Sequence, residues 1–359
     1  MSLYRIDGWD YYPPNATGQT VVGPNFMADG FTNGLNNWTT FPGRFGGNCI
    51  SLGSNFNSFQ AIGHRFTDSD TVIIGHAFNA DFANLLTGGH LGVYDSEGAS
   101  YLQCGVSFDQ NGVFRAFRGT GGSGSSNGTI VATSHSGVFH SQEWDYLEVK
   151  IKVHATAGLI EVRLNTVTII SYVGPTTNQF NNPILGLPHG WDNVAYLGWS
   201  NLKWDDRYIL VVDGVGNNDY LGNVRVNTQL TVGAGDLTQF GVIGAANNWD
   251  AVNEFVLTDA EDVWTQTIGN EDLYAMNPSI TAANIFGMQI TGAHKQDDAT
   301  QKTSRNLIKT HATIYEGVDN VLAQTYRYYH DMFELNPNTG VGWTAAELNA
   351  VQGGQKLQA

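Results

Sequence analysis

The sequence predicts an all-β protein of two units, and three observations carry that expectation. Glycine is unusually frequent, at 43 of 359 residues, while charged residues make up only 14%, a composition suited to short strands and tight turns. Apolar runs recur along the chain, with turn residues spaced about every 8 to 12 positions. The length exceeds what one hydrophobic core comfortably serves, so two units are the default.

The plainest strand pattern runs from Glu143 to Ser171. Leu147, Val149, Ile151 and Val153 alternate with Glu148, Lys150, Lys152 and His154, the period of a strand with one buried and one wet face. His154 to Gly158 supply a turn, after which Ile160, Val162 and Leu164 alternate with Glu161, Arg163 and Asn165. The spacing predicts an antiparallel hairpin. Opened by Trp144, it resembles the late strands of laminin-G-like, concanavalin-type jelly rolls, which implies a fold and not an activity.

In chain order, residues 1–20 carry Tyr4, Trp9, Tyr11 and Tyr12 beside Pro13 and Pro14 with no regular period. They read as an N-terminal docking arm whose rings make assembly contacts. Residues 21–213 hold the runs TVIIGHAF, SYLQCGVSF, GVFRAFRG, the hairpin and RYILVVD, expected to form the jelly roll. Within it, Gly119 to Thr129 is a Gly/Ser-rich loop. Residues 214–359 contain FGVIGA, NIFGMQITGAHK and NLIKTHATIYEG, a second β-sandwich-like unit. Thr344 and Glu347 form a capping box that starts a short C-terminal helix.

Charge and hydropathy exclude several classes. A formal charge of −16 with no basic patch repels phosphate backbones, so nucleic acid is not an expected partner. No apolar run approaches the roughly 18–20 residues of a membrane-spanning helix, and no membrane insertion is expected. The N-terminus lacks the basic start and apolar core of a signal peptide, so synthesis in a cytosol without classical export is the expectation. Cys49 and Cys104 are too few for a disulfide framework. They read as two buried thiols, with a bridge across the first unit as the alternative.

Glu143, Asp145 and Glu148 resemble the catalytic strand of laminarinase-type glucanases. Retaining hydrolysis needs two carboxyl groups about 5–5.5 Å apart on one face. On a regular strand Glu143 and Asp145 share the face of Leu147 while Glu148 lies opposite, and VKIKV lacks the Gly or Gln that follows in those enzymes. No catalytic residue is therefore assigned. Asp205, Asp206 and Asp213, and the pair Asp297-Asp298, lack the regular spacing of a Ca²⁺ loop and read as solvated turns. His135 and His140 belong to no metal-ligand motif, and no cofactor is expected. Trp191, Tyr196 and Trp204 form a candidate platform for stacking pyranose rings, with Trp199, between Gly198 and Ser200, read as core.

Three pieces, IDGWDYY at 6–12, DGVGNNDYLGNVRV at 213–226 and NPNTGVGWTAAELNAVQGGQKL at 336–357, together resemble virion structural proteins of tailed bacteriophages. NNWDAVNE at 247–254 and ITGAHKQDD at 290–298 add to the likeness. The chain departs from that family at Asp205-Asp206-Arg207-Tyr208, where an aliphatic residue ordinarily follows the two aspartates. The resemblance implies a non-enzymatic component of the virion, tail-associated (fibre or spike) or an exterior capsid decoration, acting in assembly and host attachment. Its implied partners are copies of itself, with a trimer favoured, other virion proteins and a host-surface glycan. A glycan-binding adhesin is the alternative function, and a polysaccharide-degrading enzyme the third.

Overall fold

A computed structural model describes residues 3–15, 32–33, 38–52, 60–64, 69–81, 90–94, 102–119, 128–178, 193–198, 202–212 and 216–359. The described chain is almost entirely strand and turn, with one short α-helix and a 3-10 turn at Asp250–Val252. It divides into two compact units, Met1–Val226 and Asn227–Ala359.

The strands of the first unit are Leu3–Asp7 (β1), Thr32–Asn33 (β2), Trp38–Pro42 (β3), Asn48–Leu52 (β4), Gln60–His64 (β5), Thr71–Ala80 (β6), His90–Tyr94 (β7), Leu102–Phe108 (β8), Phe114–Arg118 (β9), Thr129–Thr133 (β10), Trp144–Lys152 (β11), Gly158–Leu164 (β12), Val167–Gly174 (β13), Asn193–Gly198 (β14) and Leu202–Val211 (β15). They build two antiparallel sheets, ordered β13-β12-β11-β6-β15-β4-β3 with β1 added on β15, and β10-β9-β8-β7-β14-β5-β2. Consecutive strands are dispersed between and within the sheets, as in a jelly-roll sandwich. The sheets meet through a cluster of phenylalanines. Phe78 of β6 lies 5.6 Å from Phe108, 6.4 Å from Phe114 and 5.3 Å from Phe139.

The hairpin has the register its pattern demands: Leu147 opposite Leu164, Val149 opposite Val162 and Ile151 opposite Ile160. At its first turn the His154 ring nitrogen accepts from the amides of Thr156 and Ala157. At its second, Asn165 and Thr166 both take positive φ, 50° and 72°, the backbone twist that a two-residue connection to β13 requires. Asn165 then holds the hairpin with its side chain, donating to Asp145 and accepting from the Tyr146 amide.

Three expectations are corrected here. The outer face of β11 is not wet throughout: Glu148 is only 1% exposed, because the last residues of the unit lie across it and the Gly222 amide donates to its carboxylate. Nor are residues 3–12 a separate docking arm. β1 pairs with β15, placing Ile6 opposite Tyr208 and Asp7 opposite Arg207. Leu3, Trp9 and Tyr12 are buried, and only Tyr4 of the four rings reaches 37% exposure. Burying those rings at home is worth about 25 cal/mol per Å² without any neighbour being present. The unit closes at Val226 rather than at Asp213 because Val226 and Gly222 are bonded to Asp206 and Glu148.

The second unit has the strands Thr231–Thr238 (β16), Gly241–Ile243 (β17), Asp262–Trp264 (β18), Glu271–Met276 (β19), Met288–His294 (β20), Thr303–Thr310 (β21), Thr313–Glu316 (β22), Asn320–Val321 (β23), Arg327–Phe333 (β24) and Gln352–Leu357 (β25), with the helix Ala345–Ala350 (α1). A six-stranded sheet runs β16-β19-β25-β21-β22 with β23 on β21, beside two ribbons, β17-β18 and β20-β24. Ile308, Trp343, Leu348 and Val351 form its core, covered by Met288, Ile290 and Phe333 of the second ribbon, so the packing is sandwich-like. The capping box is present in full: the Thr344 hydroxyl accepts from the Glu347 amide, and the Glu347 carboxylate accepts from the Thr344 amide. The helix does not end the chain, since β25 follows it into the centre of the sheet.

Tyr208 reaches Glu148 by crossing Gly75, which pairs with both residues, and a Cβ on Gly75 would overlap the Tyr208 ring. Gly75→Ala should therefore destabilise the first unit by about 1–3 kcal/mol, read as a lower midpoint in thermal unfolding. Deleting residues 1–12 should likewise lower that midpoint, where a merely intermolecular arm would leave it unchanged.

Candidate functional site

The sequence candidates separate once they are placed on strands. Asp145 pairs with Phe78 and Glu148 with Gly75. Phe78 points into the sandwich, so Asp145 faces inward, and three positions on Glu148 faces outward. Asp145 accepts from Asn165 at 2.6 Å. Glu148 accepts from the Tyr208 hydroxyl at 2.5 Å and the Gly222 amide at 2.8 Å. Glu143 is exposed, 3.9 Å from His140. Carboxylates on opposite faces of one sheet cannot flank one glycosidic bond, so Asp145 and Glu148 do not form such a pair.

A buried group of charges lies where the sequence predicts solvated turns. Asp205 and Asp206 sit at a bulge in β15, with Asp206 at φ 48°, and both are buried. Asp205 accepts from the Arg44 and Asp206 amides at 2.7 and 2.8 Å. Asp206 accepts from the Val226 amide at 2.8 Å and lies 3.6 Å from the Arg44 guanidinium. Beside them Asp10 accepts from the Asn48 amide. Burial pushes the Asp205 carboxyl up to about 8, with the Asp206 charge adding to the rise. Burial also lifts Asp206 to about 6, against the pull of the Val226 amide and Arg44.

A second node lies alongside. The Asp7 carboxylate accepts from the Trp9 amide and the Tyr11 hydroxyl, both at 3.0 Å, and contacts Arg207 at 3.4 Å and Arg5 at 3.5 Å. Arg207 stacks over the Trp9 ring at 4.7 Å. Arg207, which follows the two aspartates, is thus the partner of Asp7. Inside the sandwich, His76 lies 4.3 Å from Trp204, edge to face, and burial holds its imidazole well below the ordinary range, with Arg207 adding to the effect.

Trp204 is 6% exposed and its ring is 6.3 Å from Phe78. It is a core residue and offers no face to a sugar. Trp191 and Trp199 lie outside the described residues, and Tyr196 is placed only as a residue of β14. Among the described residues no group of three or more His, Cys, Asp or Glu could hold a metal ion; Asp213 lies outside them. Asp297 pairs with Lys295 at 2.9 Å, and Asp298 accepts from the Thr300 amide. Cys49 and Cys104 are free and buried, with burial pushing the Cys49 thiol up to about 12. No described helix is long and apolar enough to cross a membrane.

No family profile and no curated protein sequence matches the chain. Solved structures do overlap it. Alginate lyase Aly36B covers 57% of this chain and 95% of its own, at 10% identity and a TM-score of 0.42. A mutant Trypanosoma rangeli sialidase displaying trans-sialidase activity covers 50% of this chain and 26% of its own, at 11% identity and 0.29. Sheep galectin-11 covers 41% of this chain and 96% of its own, at 11% identity and 0.28.

The aspartate pair gives the first unit a pH dependence of definite sign. Both carboxyls titrate higher when folded than the ordinary 3.8, so the folded state holds protons that the unfolded chain releases, and stability falls as pH rises. The urea midpoint of the first unit should drop between about pH 4 and pH 8 and level off above. Asp205→Asn should flatten the upper part of that slope, which a titration of unfolding by tryptophan fluorescence would read.

Proposed function

We propose that this chain is a non-catalytic structural component of a tailed-bacteriophage virion, carried on the tail or the particle exterior and acting in assembly and attachment. The observation that supports this reading is how the phage-like motifs are used. Asp7, Trp9, Asp10 and Tyr12 of IDGWDYY, and Gly222 and Val226 of DGVGNNDYLGNVRV, are about 200 residues apart in sequence, yet both segments are bonded into the centre of the first unit. The closing motif supplies the capping box, the core Trp343 and the central strand β25. Asn248 of NNWDAVNE donates to the fully buried Asp272. Residues that carry the likeness are spent on architecture, which is what a particle component requires.

The reading implies copies of the chain as its first partners, as a homo-oligomer with a trimer favoured, and other virion proteins as its second. Synthesis in the host cytoplasm and incorporation into the particle follow from it. Antibody against the full chain should label intact particles in negative-stain microscopy, and the protein should appear in purified particles at fixed stoichiometry by mass spectrometry. Its absence from purified particles would sink the proposal, as would release of new reducing ends from a polysaccharide by the purified chain.

A further inference from the structure

The second unit carries an exposed tryptophan unlike the others that are described. Trp9, Trp204 and Trp343 are buried and Trp144 and Trp249 half-buried, whereas Trp264 is 50% exposed. It sits on the ribbon β17-β18, opposite Gly241, with Asp262 opposite Ile243. Side chains alternate along a strand, so Trp264, Gly241, Asp262 and Ile243 share one face of the ribbon. A Cβ on Gly241 would lie 2.9 Å from the indole Cε2 and Nε1. The ring therefore rests on a glycine backbone with one face covered and the other turned outward, which accounts for its half exposure. Ile243 beside it is 45% exposed.

Two residues along the strand, the Asp262 carboxylate supplies a polar counterpart. Its Oδ1 is sheltered from solvent and has no hydrogen-bond partner, at a cost to the fold, and the half-buried carboxylate meets solvent, and any ligand, through its other oxygen. The Lys295 ammonium is bonded to Asp259 at 2.6 Å and Asp297 at 2.9 Å, and it lies 5.1 Å from the Tyr326 ring. An outward apolar ring face and a carboxylate acceptor, about 7 Å apart along the strand, match the two faces of one hexose. Its axial C–H groups lie on the indole, and a hydroxyl on its rim donates to the carboxylate.

We propose that the β17-β18 face of the second unit, centred on Trp264 and Asp262, binds a neutral pyranose residue of a polysaccharide. Charge decides the sugar class. Asp259, Asp262 and Asp297 surround a single lysine already engaged by two of them, and the chain as a whole carries −16. Uronic and sialic acids meet like charge there, while an uncharged hexose meets none. The site goes beyond the structural role proposed above and does not depend on it, because it is read on the free protein.

Purified full-length chain should be retarded by neutral polysaccharides such as glucan, mannan or galactan in affinity electrophoresis, and at least one of them should change its tryptophan fluorescence. Alginate and hyaluronan should do neither. Trp264→Ala should weaken the interaction about tenfold or more, and Asp262→Asn, which keeps the shape but removes the anionic acceptor, should weaken it by a smaller factor. Circular dichroism and the unfolding midpoint control for folding; should Trp264→Ala unfold, Ile243→Ser and Asp262→Asn carry the same test. Failure of every neutral polysaccharide to bind, binding that survives these substitutions in folded protein, or binding confined to the anionic polymers would each overturn the proposal.

Discussion

The first unit depends on the Glu148 carboxylate, which is removed from water at the centre of a sheet. A buried carboxylate is tolerable only when its lone pairs are used, and Glu148 Oε1 accepts from Tyr208 on β15 and from Gly222 beyond it. Tyr146 stacks 6.5 Å from Tyr208 and donates to the Asp206 carbonyl. Asp206 in turn holds Val226, and Arg207, next along, holds Asp7. The hairpin, the last strand, the N-terminal strand and the closing segment are thereby tied to one another. Loss of any one leaves a buried charge without its donor, and that couples them into a single cooperative body.

The second unit solves the same problem separately. Its small apolar cluster is supplemented by buried acceptors that organise loops. Asp272, fully buried, accepts from the Gln239 and Phe240 amides, Asn248 and Tyr274. Asn306 donates to Asp331, whose other oxygen accepts from the Val318 amide. In a chain with so many glycines, side-chain carboxylates and amides supply part of the loop definition that larger apolar residues would otherwise give. Charged acceptors bonded to backbone amides are among the stronger hydrogen bonds available for this.

What could be read in the sequence was what local periodicity encodes. The alternation of Leu147, Val149 and Ile151 gave the hairpin and its inner face, and Thr344 with Glu347 gave the helix start. The opposed facing of Asp145 and Glu148 also followed from strand geometry alone. What escaped was set by distant segments. Glu148 looks solvated until Gly222 is known to cross it, Trp9 and Tyr12 look like an arm until β15 is known to receive β1, and Asp205-Asp206 look like a surface turn until Arg44 and Val226 arrive. Trp204 carries the composition of a sugar platform and the environment of a core. Trp264 gave no local signal, since its exposure depends on the glycine opposite it in another strand.

The pairing of β1 with β15 also sets the order of events during synthesis. Asp7 is made 200 residues before Arg207, and β15 is the one strand that β1 pairs with among the described residues. At ribosomal rates of about 5–20 residues per second the N-terminal strand waits about 10–40 s for its partner. Through that interval β1 lacks its pairing, whereas Asp10 and Tyr12, which bond to Asn48, have their partner far sooner. Long-range closure of this sort makes for slow folding.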